Sequence, residues 1–486
     1  MHLSENEGIE GRSFVVTGGL GTVGSALCLE LARRGARQVR SLHLPSASPS
    51  EPSPLHSSLR QAGVILIHGD VTKKKDVDKA LRGAHCVFHL ASFGESGKDT
   101  LQAGRVHDTN ITGTCNVLDS CREFGIRRLV YLSSYNVVFG GKEILNGNEA
   151  SPYYPIDSNP DPFGRSKCIA EQLVLKTNGL PAKSKNGAHL YTCAVRPALV
   201  YGPGEKHLLR LVSLAKLGLL YYKIGDENVK TDWVYVENLV LALLLASMGL
   251  LDDIPGREGQ PVAAGQAYFI NDGSPVNTFE FIVNPLLRSL DYGVPKLRMD
   301  LKQALIMSRV CWFVYMLLFP WLGKKWLPQP FILPPEAYKL GVRHYFSILK
   351  AREELGYIPL VSPRDGVNAT VSYFQEKKRR ELDGPTIYAW LFVMLGILAI
   401  FCAAFLPPIG PLYFNYWIHI FVFRSVSVIR LVFVLAVVLH VGEGMYAYYL
   451  ARKVDPENSK GWFWQTTALG FTSLQCLLKR ARSKNE

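Results

Sequence analysis

The sequence predicts an α/β protein with a doubly wound parallel sheet, a smaller C-terminal lobe and a final α-helical transmembrane domain. Short β-branched runs alternate with helical patterns from about residue 12 to 250, as in βαβ units that cover both faces of a sheet. Strand-like and helix-like pieces mix from 251 to 380, and the composition becomes strongly apolar beyond residue 385. The predicted domains are an N-terminal tail at 1–11, the sheet domain at 12–250, the lobe at 251–380, the membrane domain at 385–479 and a basic tail at 480–486.

The predicted strands of the sheet are short runs rich in valine, isoleucine and leucine. In chain order they read SFVVT (13–17), QVRSLHL (38–44), GVILIHGD (63–70), CVFHLAS (86–92), RRLVYLSS (127–134) and TCAVRPALVYGPG (192–204). The intervening segments are long enough for the crossover helices that parallel strands require.

A glycine-rich turn follows the first strand and opens a helix. It reads Thr17-Gly18-Gly19-Leu20-Gly21-Thr22-Val23-Gly24. The glycines at 18, 21 and 24 permit a tight turn, close approach of the backbone to a pyrophosphate and close packing of helix on strand. The helix N-terminus then faces the anion. Because a strand precedes the motif and a helix follows it, the sequence predicts a Rossmann-type NAD(P)-binding domain.

The second strand leaves the choice between NAD and NADP open. A carboxylate at its end would bond the adenosine ribose hydroxyls of NAD, but His43 occupies that place. Arg37 and Arg40 lie nearby in the sequence and are either solvated or partners for the 2′-phosphate of NADP. Asp70, after the third strand, suits the adenine amino group. The predicted cofactor is therefore NAD or NADP.

The net charge and the spacing of the cysteines limit which macromolecular partners and metal ligands the sequence predicts. The net charge is +13, but the basic runs at 377–380 and 479–482 adjoin long apolar segments, which favours cytoplasmic flanks of membrane spans over nucleic-acid contacts. The nine cysteines show no ligand spacing, so neither a metal site nor a disulfide frame is predicted. The polar N-terminus contains no secretory signal, so the sheet domain is expected in the cytosol.

Apolar runs in the last hundred residues predict several membrane spans, since about 20 residues cross a bilayer. The runs lie at 386–406, 431–450 and 462–478, with a fourth at 412–428 that Arg424 interrupts. Four spans place the basic segments on one side and are preferred, although three remain open. A further run at 304–322 contains Arg309 and Pro320, which favours an interfacial or buried helix over a full span.

Several motifs in combination resemble the extended short-chain dehydrogenase/reductases and, more narrowly, the 42E family of the 3β-hydroxysteroid dehydrogenase/isomerase branch. These motifs are TGGLGTVG, GDV, HLAS, TNITGTCNVL, YLSSYNVVFGG, GRSKCIAEQ, RPALVYGPGE, GQAYFINDG and HYFS. The resemblance covers about residues 12 to 375, and the apolar tail is similar to the multi-span domain of some plant members. It implies an NAD(P)-dependent oxidoreductase of the endoplasmic reticulum membrane that interconverts a hydroxyl and a ketone on a steroid-like or other hydrophobic substrate, and it leaves a homodimer open.

The resemblance also implies roles for individual residues. Ser134 matches the serine that hydrogen-bonds the substrate oxygen, with Ser133 as the neighbouring alternative. Lys167 matches the lysine that bonds the nicotinamide ribose, and Asn110 the asparagine that supports the lysine side of the proton path. The implied cofactor-binding residues are Thr17, Gly18, Gly21, Thr22, Val23, Gly24, Asp70, Val71, Leu90, Ala91, Lys167 and Pro197.

Residue 163 departs from the family pattern Tyr-x-x-x-Lys, because this chain has Phe163. The family's tyrosine exchanges a proton with the alcohol or ketone, whereas a phenyl ring has no ionisable group, and general acid–base catalysis contributes roughly 10²–10⁴ in rate. Ser134 or water could sustain residual turnover, and Tyr153 or Tyr154 is a candidate substitute. The alternative function is therefore a catalytically weakened NAD(P)-binding membrane protein that acts as a sensor or scaffold.

Overall fold

The computed structural model describes residues 6–45, 54–183, 189–254, 260–326, 328–406 and 425–483. The strands are β1 (Ser13–Thr17), β2 (Gln38–His43), β3 (Ile65–His68), β4 (Cys86–His89), β5 (Arg128–Leu132), β6 (Ile144–Gly147), β7 (Leu180–Pro181), β8 (His189–Pro197), β9 (Leu199–Tyr201), β10 (Tyr222–Ile224), β11 (Trp233–Tyr235), β12 (Ala267–Ile270), β13 (Leu297–Met299) and β14 (His344–Phe346). The α-helices are α1 (Thr22–Arg33), α2 (Pro54–Gln61), α3 (Lys74–Leu81), α4 (Ala103–His107), α5 (Gly113–Glu123), α6 (Pro162–Lys176), α7 (Lys206–Lys216), α8 (Val236–Gly249), α9 (Asn284–Ser289), α10 (Leu301–Trp326), α11 (Pro334–Gly341), α12 (Leu349–Leu355), α13 (Pro363–Arg380), α14 (Ile387–Phe405), α15 (Val426–Val454), α16 (Ser459–Leu469) and α17 (Phe471–Ser483).

The central sheet has the strand order β3-β2-β1-β4-β5-β8-β12, and all of these neighbours run parallel, while β7 pairs antiparallel with β8. In the register of the sheet, Val15 of β1 faces Arg40 on one side and Val87 on the other. The direction of strand addition reverses at β1, so the carboxyl ends of β1 and β4 frame a crevice where ligands bind in open α/β sheets. The predicted doubly wound fold is confirmed.

Apolar side chains cover both faces of the sheet because successive strand residues point to opposite sides. Phe14 and Val16 of β1 belong to the layer packed beneath α1 and α8, whereas Val15 belongs to the layer beneath α3, α5 and α6. These residues are fully buried. This two-sided burial explains why the strands read as continuous apolar runs rather than as alternating patterns.

The chain forms two compact units, and the first comprises Met1–Leu209, Tyr222–Pro285 and Lys296–Thr370. It therefore contains the sheet together with most of the predicted lobe, in which two-stranded parallel pairs form between β6 and β14, β9 and β11, and β10 and β13. Helix α10 also belongs to this unit. Its segment Leu301–Leu322 is long and apolar enough to cross a membrane and only 6% of it is buried, so it is not the buried helix that the sequence left as an alternative.

The second unit comprises Arg210–Tyr221, Leu286–Pro295 and Val371–Glu486. Two of its helices, Ile387–Phe405 and Val426–Val454, are long and apolar enough to cross a membrane. The predicted span at 462–478 is instead divided into α16 and α17 at Gly470, which has a positive φ of 59°. A Cβ at that position would fall 2.8 Å from His440 Nε2, so the break allows close packing against α15. Most of the predicted run at 412–428 lies outside the described residues, and the number of spans stays a prediction.

Candidate active site

The glycine-rich turn forms a cradle that only glycine fits. Gly18 has a positive φ of 74°, and a Cβ there would lie 3.0 Å from the backbone nitrogen of Ala91. At Gly24, the first turn of α1 lies so close to the loop that a Cβ would fall 2.3 Å from the Gly18 carbonyl oxygen. Gly21 is less constrained, with the same carbonyl at 3.3 Å. The backbone thus reaches the crevice without side chains in the way.

A cavity of about 730 Å³ opens at the carboxyl ends of the strands. Its lining includes most of the predicted cofactor-binding residues, namely Gly18, Gly21, Thr22, Val23, Gly24, Asp70, Val71, Leu90 and Ala91, together with His43, Glu95, Leu132 and Glu205. Thr17, Lys167 and Pro197 are not among the lining residues. Predicted residues that follow three separate strands, β1, β3 and β4, are therefore brought to one crevice.

Thr17 holds the ends of β1 and β4 together from beneath the cavity. Its Oγ1 accepts hydrogen bonds from the backbone nitrogens of Leu90 and Ala91, both at 3.1 Å, and lies 2.8 Å from Nδ1 of His89. Since the oxygen already accepts two N–H groups, its own proton is directed to Nδ1, and His89 Nε2 then donates to Thr114 Oγ1 at 2.9 Å. Burial lowers the pKa of His89 to about 3, which keeps this ring neutral.

At the adenosine end, Arg37 and Arg40, the two candidate partners of a 2′-phosphate, are hydrogen-bonded to other groups. The buried Arg40 donates to the carbonyl oxygens of Ala80 and Arg82 at 2.6 and 2.8 Å. Arg37 donates to Ser13 Oγ at 3.2 Å, at the amino end of β1. These contacts do not support the arginines as partners of a 2′-phosphate, and the choice between NAD and NADP stays a prediction. Asp70 Oδ1 accepts from the Thr72 nitrogen at 2.9 Å and so shapes the turn beside the cavity.

At the other end of the cavity, Lys167 is buried on α6 with its ammonium group beside the end of β5. Its Nζ donates to the carbonyl oxygen of Leu132 at 2.7 Å, and Leu132 lines the cavity. Burial lowers the pKa of Lys167 to about 8, against the opposing influence of Glu95 and Glu171. Phe163, one turn earlier, is 2% exposed, and its ring centre lies 5.7 Å from Lys167 Nζ.

The remaining predicted residues lie around this end with their hydrogen bonds largely directed to the protein. Ser134 Oγ accepts from the backbone and side-chain nitrogens of Asn136, at 3.3 and 2.8 Å. Ser133 Oγ is buried with no partner among the described residues. The side chain of Asn110 donates to Phe93 O and to Ser166 Oγ at 2.9 and 2.8 Å. Asn110 therefore braces the turn of α6 next to Lys167, without a recorded bond to the lysine.

Pro197 ends β8, where it pairs with Ile270 of β12. It is buried in the sheet, and so its role beside the nicotinamide stays a prediction.

Two upstream tyrosines are the candidates to replace the missing phenol. Tyr153 Oη donates to Glu171 Oε1 at 2.8 Å. Glu171 also forms a buried ion pair with Arg196 at 2.6 Å. The ring of Tyr154 packs on Gly140, where an added Cβ would fall 2.4 Å from it. The structure therefore does not support Tyr153 as a substitute for Phe163, and Tyr154 in that role stays a prediction.

Sequence reasoning missed two ion pairs near the site. His207 Nε2 lies 3.3 Å from Glu95 Oε1, and Lys339 Nζ of α11 lies 2.9 Å from Asp161 Oδ2. Asp161 also caps α6 by accepting from the Phe163 nitrogen at 3.0 Å. The partners of each pair are far apart in the sequence and share no motif, so no local signal could have paired them.

The site fits a dinucleotide on structural grounds. A Cβ at Gly18 or Gly24 would collide with neighbouring backbone, and the first residues of α1 line the crevice. Nε2 of His43, also in the lining, has no hydrogen-bond partner among the described residues. These features suit a pyrophosphate and an adenosine ribose. With a buried lysine at the far end, the fold and cavity define an NAD(P)-binding protein of the short-chain dehydrogenase class.

Comparison with known proteins specifies the family. The model of the 3-beta hydroxysteroid dehydrogenase/isomerase family matches residues 15–301. The zebrafish (Danio rerio) short-chain dehydrogenase/reductase family 42E member 1 is 40% identical over 403 residues, which cover 82% of this chain and 98% of that protein. Its human counterpart is 41% identical over 71% of this chain and 83% of its own length. The chain therefore belongs to the 3-beta hydroxysteroid dehydrogenase/isomerase family, which confirms the predicted resemblance and the NAD(P) cofactor class.

Three further comparisons concern a plant relative, the apolar tail and the fold. The Arabidopsis thaliana 3beta-hydroxysteroid-dehydrogenase/decarboxylase isoform 2 is 36% identical over 74% of this chain and 61% of its own length. The Transmembrane protein 254 model matches residues 388–479. Among solved structures, the Methanothermobacter thermautotrophicus epimerase Mth375 superimposes with a TM-score of 0.57 at 22% identity, covering 77% of this chain and 95% of that one. That likeness shows the fold alone.

Proposed function

We propose that this protein is a membrane-bound NAD(P)-dependent oxidoreductase that interconverts a secondary hydroxyl and a ketone on a steroid-like or other hydrophobic substrate. The observation that carries the proposal is the position of Lys167, buried behind the cavity and bonded to the cavity-lining residue Leu132 at 2.7 Å. A buried ammonium at that place serves to hold ribose hydroxyls of the nicotinamide half. The glycine cradle suits the pyrophosphate, which joins the nicotinamide half to the adenosine half.

The chain's own residues can perform most of the reaction's requirements. A bound nicotinamide supplies the hydride acceptor or donor. Lys167 orients the ribose, and Ser134 offers a hydroxyl to the substrate oxygen. Phe163 lies beside Lys167 but cannot take the substrate proton, so the proton leaves through Ser134 or through water. This predicts a slow enzyme, because general acid–base catalysis is worth roughly 10²–10⁴ in rate.

A hydrophobic substrate is supported by the exposed helix α10. Its apolar side chains include Phe313 and Trp321, which are 57% and 87% exposed, and such a surface is favourable only in contact with lipid or another apolar partner. Ala304 of α10 packs in one apolar cluster with Ala337 of α11, and α11 carries Lys339, which lies 6.0 Å from the Phe163 ring centre. Helix α10, which we propose faces the membrane, is thus connected to the candidate site through α11.

The proposed location is the endoplasmic reticulum membrane with the sheet domain in the cytosol. The basic run at the end of α13, residues 377–380, precedes the apolar helix α14, as expected for a cytosolic flank. Steroid-like substrates also partition into that bilayer. A homodimer remains a prediction.

A second candidate function is a catalytically weakened NAD(P)-binding membrane protein that acts as a sensor or scaffold. It is favoured by Phe163 together with the engagement of Tyr153 by Glu171 at 2.8 Å. In this case the cofactor binds and no turnover follows.

One experiment separates the two functions. The full-length protein and its Phe163→Tyr variant are purified in detergent, and the reduction of NAD and NADP is measured by absorbance with a panel of 3β-hydroxysteroids. Slow turnover by the natural protein, raised by the tyrosine, supports the enzyme. Activity in the tyrosine variant alone supports the weakened binding protein, and inactivity of both variants despite cofactor binding contradicts the enzyme proposal.

A further inference from the structure

His43 stands at the end of β2, at the place where an acidic residue would bond the adenosine ribose. The side chain lines the cavity and the residue is only 7% exposed. Its Nε2 is buried and has no hydrogen-bond partner among the described residues. Because unpartnered buried polar atoms are costly, this nitrogen calls for a partner that the chain itself does not provide.

The other ring nitrogen determines what kind of partner Nε2 can take. Nδ1 of His43 lies 3.2 Å from the backbone carbonyl oxygen of Ser41 and 3.4 Å from Ser41 Oγ. The carbonyl oxygen, at the shorter distance, only accepts hydrogen bonds, so it favours the tautomer with the proton on Nδ1, and the hydroxyl oxygen can accept from the same N–H. In the neutral ring the lone pair is then on Nε2, which is an acceptor. A partner for Nε2 must therefore be a donor, such as a hydroxyl group.

The surroundings of His43 disfavour a second proton on the ring. Burial lowers its pKa, against the opposing influence of the hydrogen bond to the Ser41 carbonyl, and the neighbouring His68 and His56 lower it further. The His68 ring is edge-on with its centre 4.8 Å away, and the His56 ring centre is 6.3 Å away. His43 is therefore expected to be neutral near pH 7, with Nε2 as an acceptor in the lining of the cavity.

We propose that His43 Nε2 accepts a hydrogen bond from the 2′-hydroxyl of the adenosine ribose and thereby selects NAD over NADP. The inference rests on the proposed function only in that the cavity binds a nicotinamide dinucleotide. A neutral imidazole replaces the carboxylate as acceptor without adding charge. The 2′-phosphate of NADP is largely deprotonated near pH 8 and offers few donors to Nε2. Neither Arg37 nor Arg40 is available to bind it.

Binding measurements test this inference without requiring turnover. The full-length protein in detergent is titrated at pH 8 with NADH and with NADPH, and nicotinamide fluorescence gives each Kd. We expect NADH to bind at least about ten times more tightly, which corresponds to one good hydrogen bond and its avoided mismatch. His43→Leu should remove most of this difference by weakening NADH. His189→Leu, at an exposed histidine that begins β8, is the matched control and should leave both Kd values unchanged.

A second variant keeps the test decisive if the leucine protein does not fold. His43→Lys replaces the acceptor with a cationic donor and should reverse the preference in favour of NADPH. Equal binding of both cofactors by the natural protein, or an unchanged NADH preference in His43→Lys, overturns the inference. Failure of the natural protein to bind either cofactor overturns the proposed function instead, so the two failures are distinguishable.

Discussion

The ammonium group of Lys167 lies 5.7 Å from the centre of the Phe163 ring. The same group is 4.7 Å from the Tyr131 ring centre on another side, and it donates to Leu132 O. Lys167, the cation proposed to hold the cofactor, therefore lies beside the end of β5. The neighbouring Phe163 ring lacks the hydroxyl that would transfer a proton. Helix α6 thus carries both Lys167, the proposed cofactor-binding residue, and Phe163, at the position of the proton-transfer residue. Substitutions at these two positions can therefore test cofactor binding and proton transfer separately.

Lys167→Met should weaken NADH binding about 10- to 100-fold, because a charge-assisted hydrogen bond contributes roughly 1.5–3 kcal/mol. The same substitution should not lower the thermal midpoint, since burial disfavours the charged lysine and already lowers its pKa to about 8. Fluorescence titration and thermal unfolding of the full-length protein measure the two effects. Lys176→Met, at an exposed lysine of the same helix, should change neither, and undiminished NADH affinity in Lys167→Met would contradict the assigned role.

Gly24→Ala should destabilise the protein by about 1–3 kcal/mol and weaken cofactor binding, as overpacked sites do. The added Cβ would fall 2.3 Å from the Gly18 carbonyl oxygen, which belongs to the backbone and cannot move without opening the cradle. Gly104→Ala is the control, because nothing lies within 4 Å of a Cβ there and alanine is the better helix former by about 0.5–1 kcal/mol. Equal thermal midpoints for the two variants would show that the cradle is not tightly packed.

Glu171→Gln should destabilise the sheet domain by about 3–5 kcal/mol, because it leaves the buried Arg196 without its counter-charge. The two side chains are 0% and 3% exposed and 2.6 Å apart, and Tyr153 loses a charged acceptor as well. Thermal unfolding followed by tryptophan fluorescence measures the loss.

The control for Glu171→Gln is Asp119→Asn, which breaks a surface pair with Lys183 whose side chains are about half exposed. Such pairs contribute only about 0–1 kcal/mol. Equal shifts of the thermal midpoint by both substitutions would show that the buried pair contributes no more to the free energy of unfolding than the surface pair.

Stability should fall as the pH drops below about 6.5, the usual histidine value. Burial lowers the pKa of His89 to about 3 and that of His344 to about 4. Between these values and the ordinary histidine value, the unfolded chain binds protons that the folded chain does not bind. The part of the free energy of unfolding that is present above pH 6.5 is therefore lost on acidification. Each group contributes a slope of about 1.4 kcal/mol per pH unit in that window.

Thermal midpoints measured from pH 8 to pH 4.5 test this dependence. His89→Gln cannot be protonated, so the variant should lose part of the slope, whereas a variant of the exposed His189 should retain all of it. A midpoint that does not change across this range would contradict the buried neutral state of both rings.

The local features of this protein were predictable from sequence because local patterns determine them. The run SFVVT became β1 at Ser13–Thr17, and the glycine turn led into α1 at Thr22. Glycine spacing, β-branched runs and helix starts depend on neighbouring residues, so a single sequence reveals them. The apolar run at 462–478 shows the limit, because its division at Gly470 depends on the packing of His440 from another helix.

The sequence by itself determined the fold class, the cofactor cradle and the chemistry missing at Phe163, since a residue type defines which protons a side chain can carry. Only the tertiary structure decided which polar groups remain available. It engages Arg40 with two carbonyl oxygens and Tyr153 with Glu171, while no described residue is a hydrogen-bond partner for His43 Nε2 in the cavity lining. These partners come from distant segments that meet only when the sheet and its helices pack, and hydrogen bonding is satisfied by proximity in space rather than in sequence.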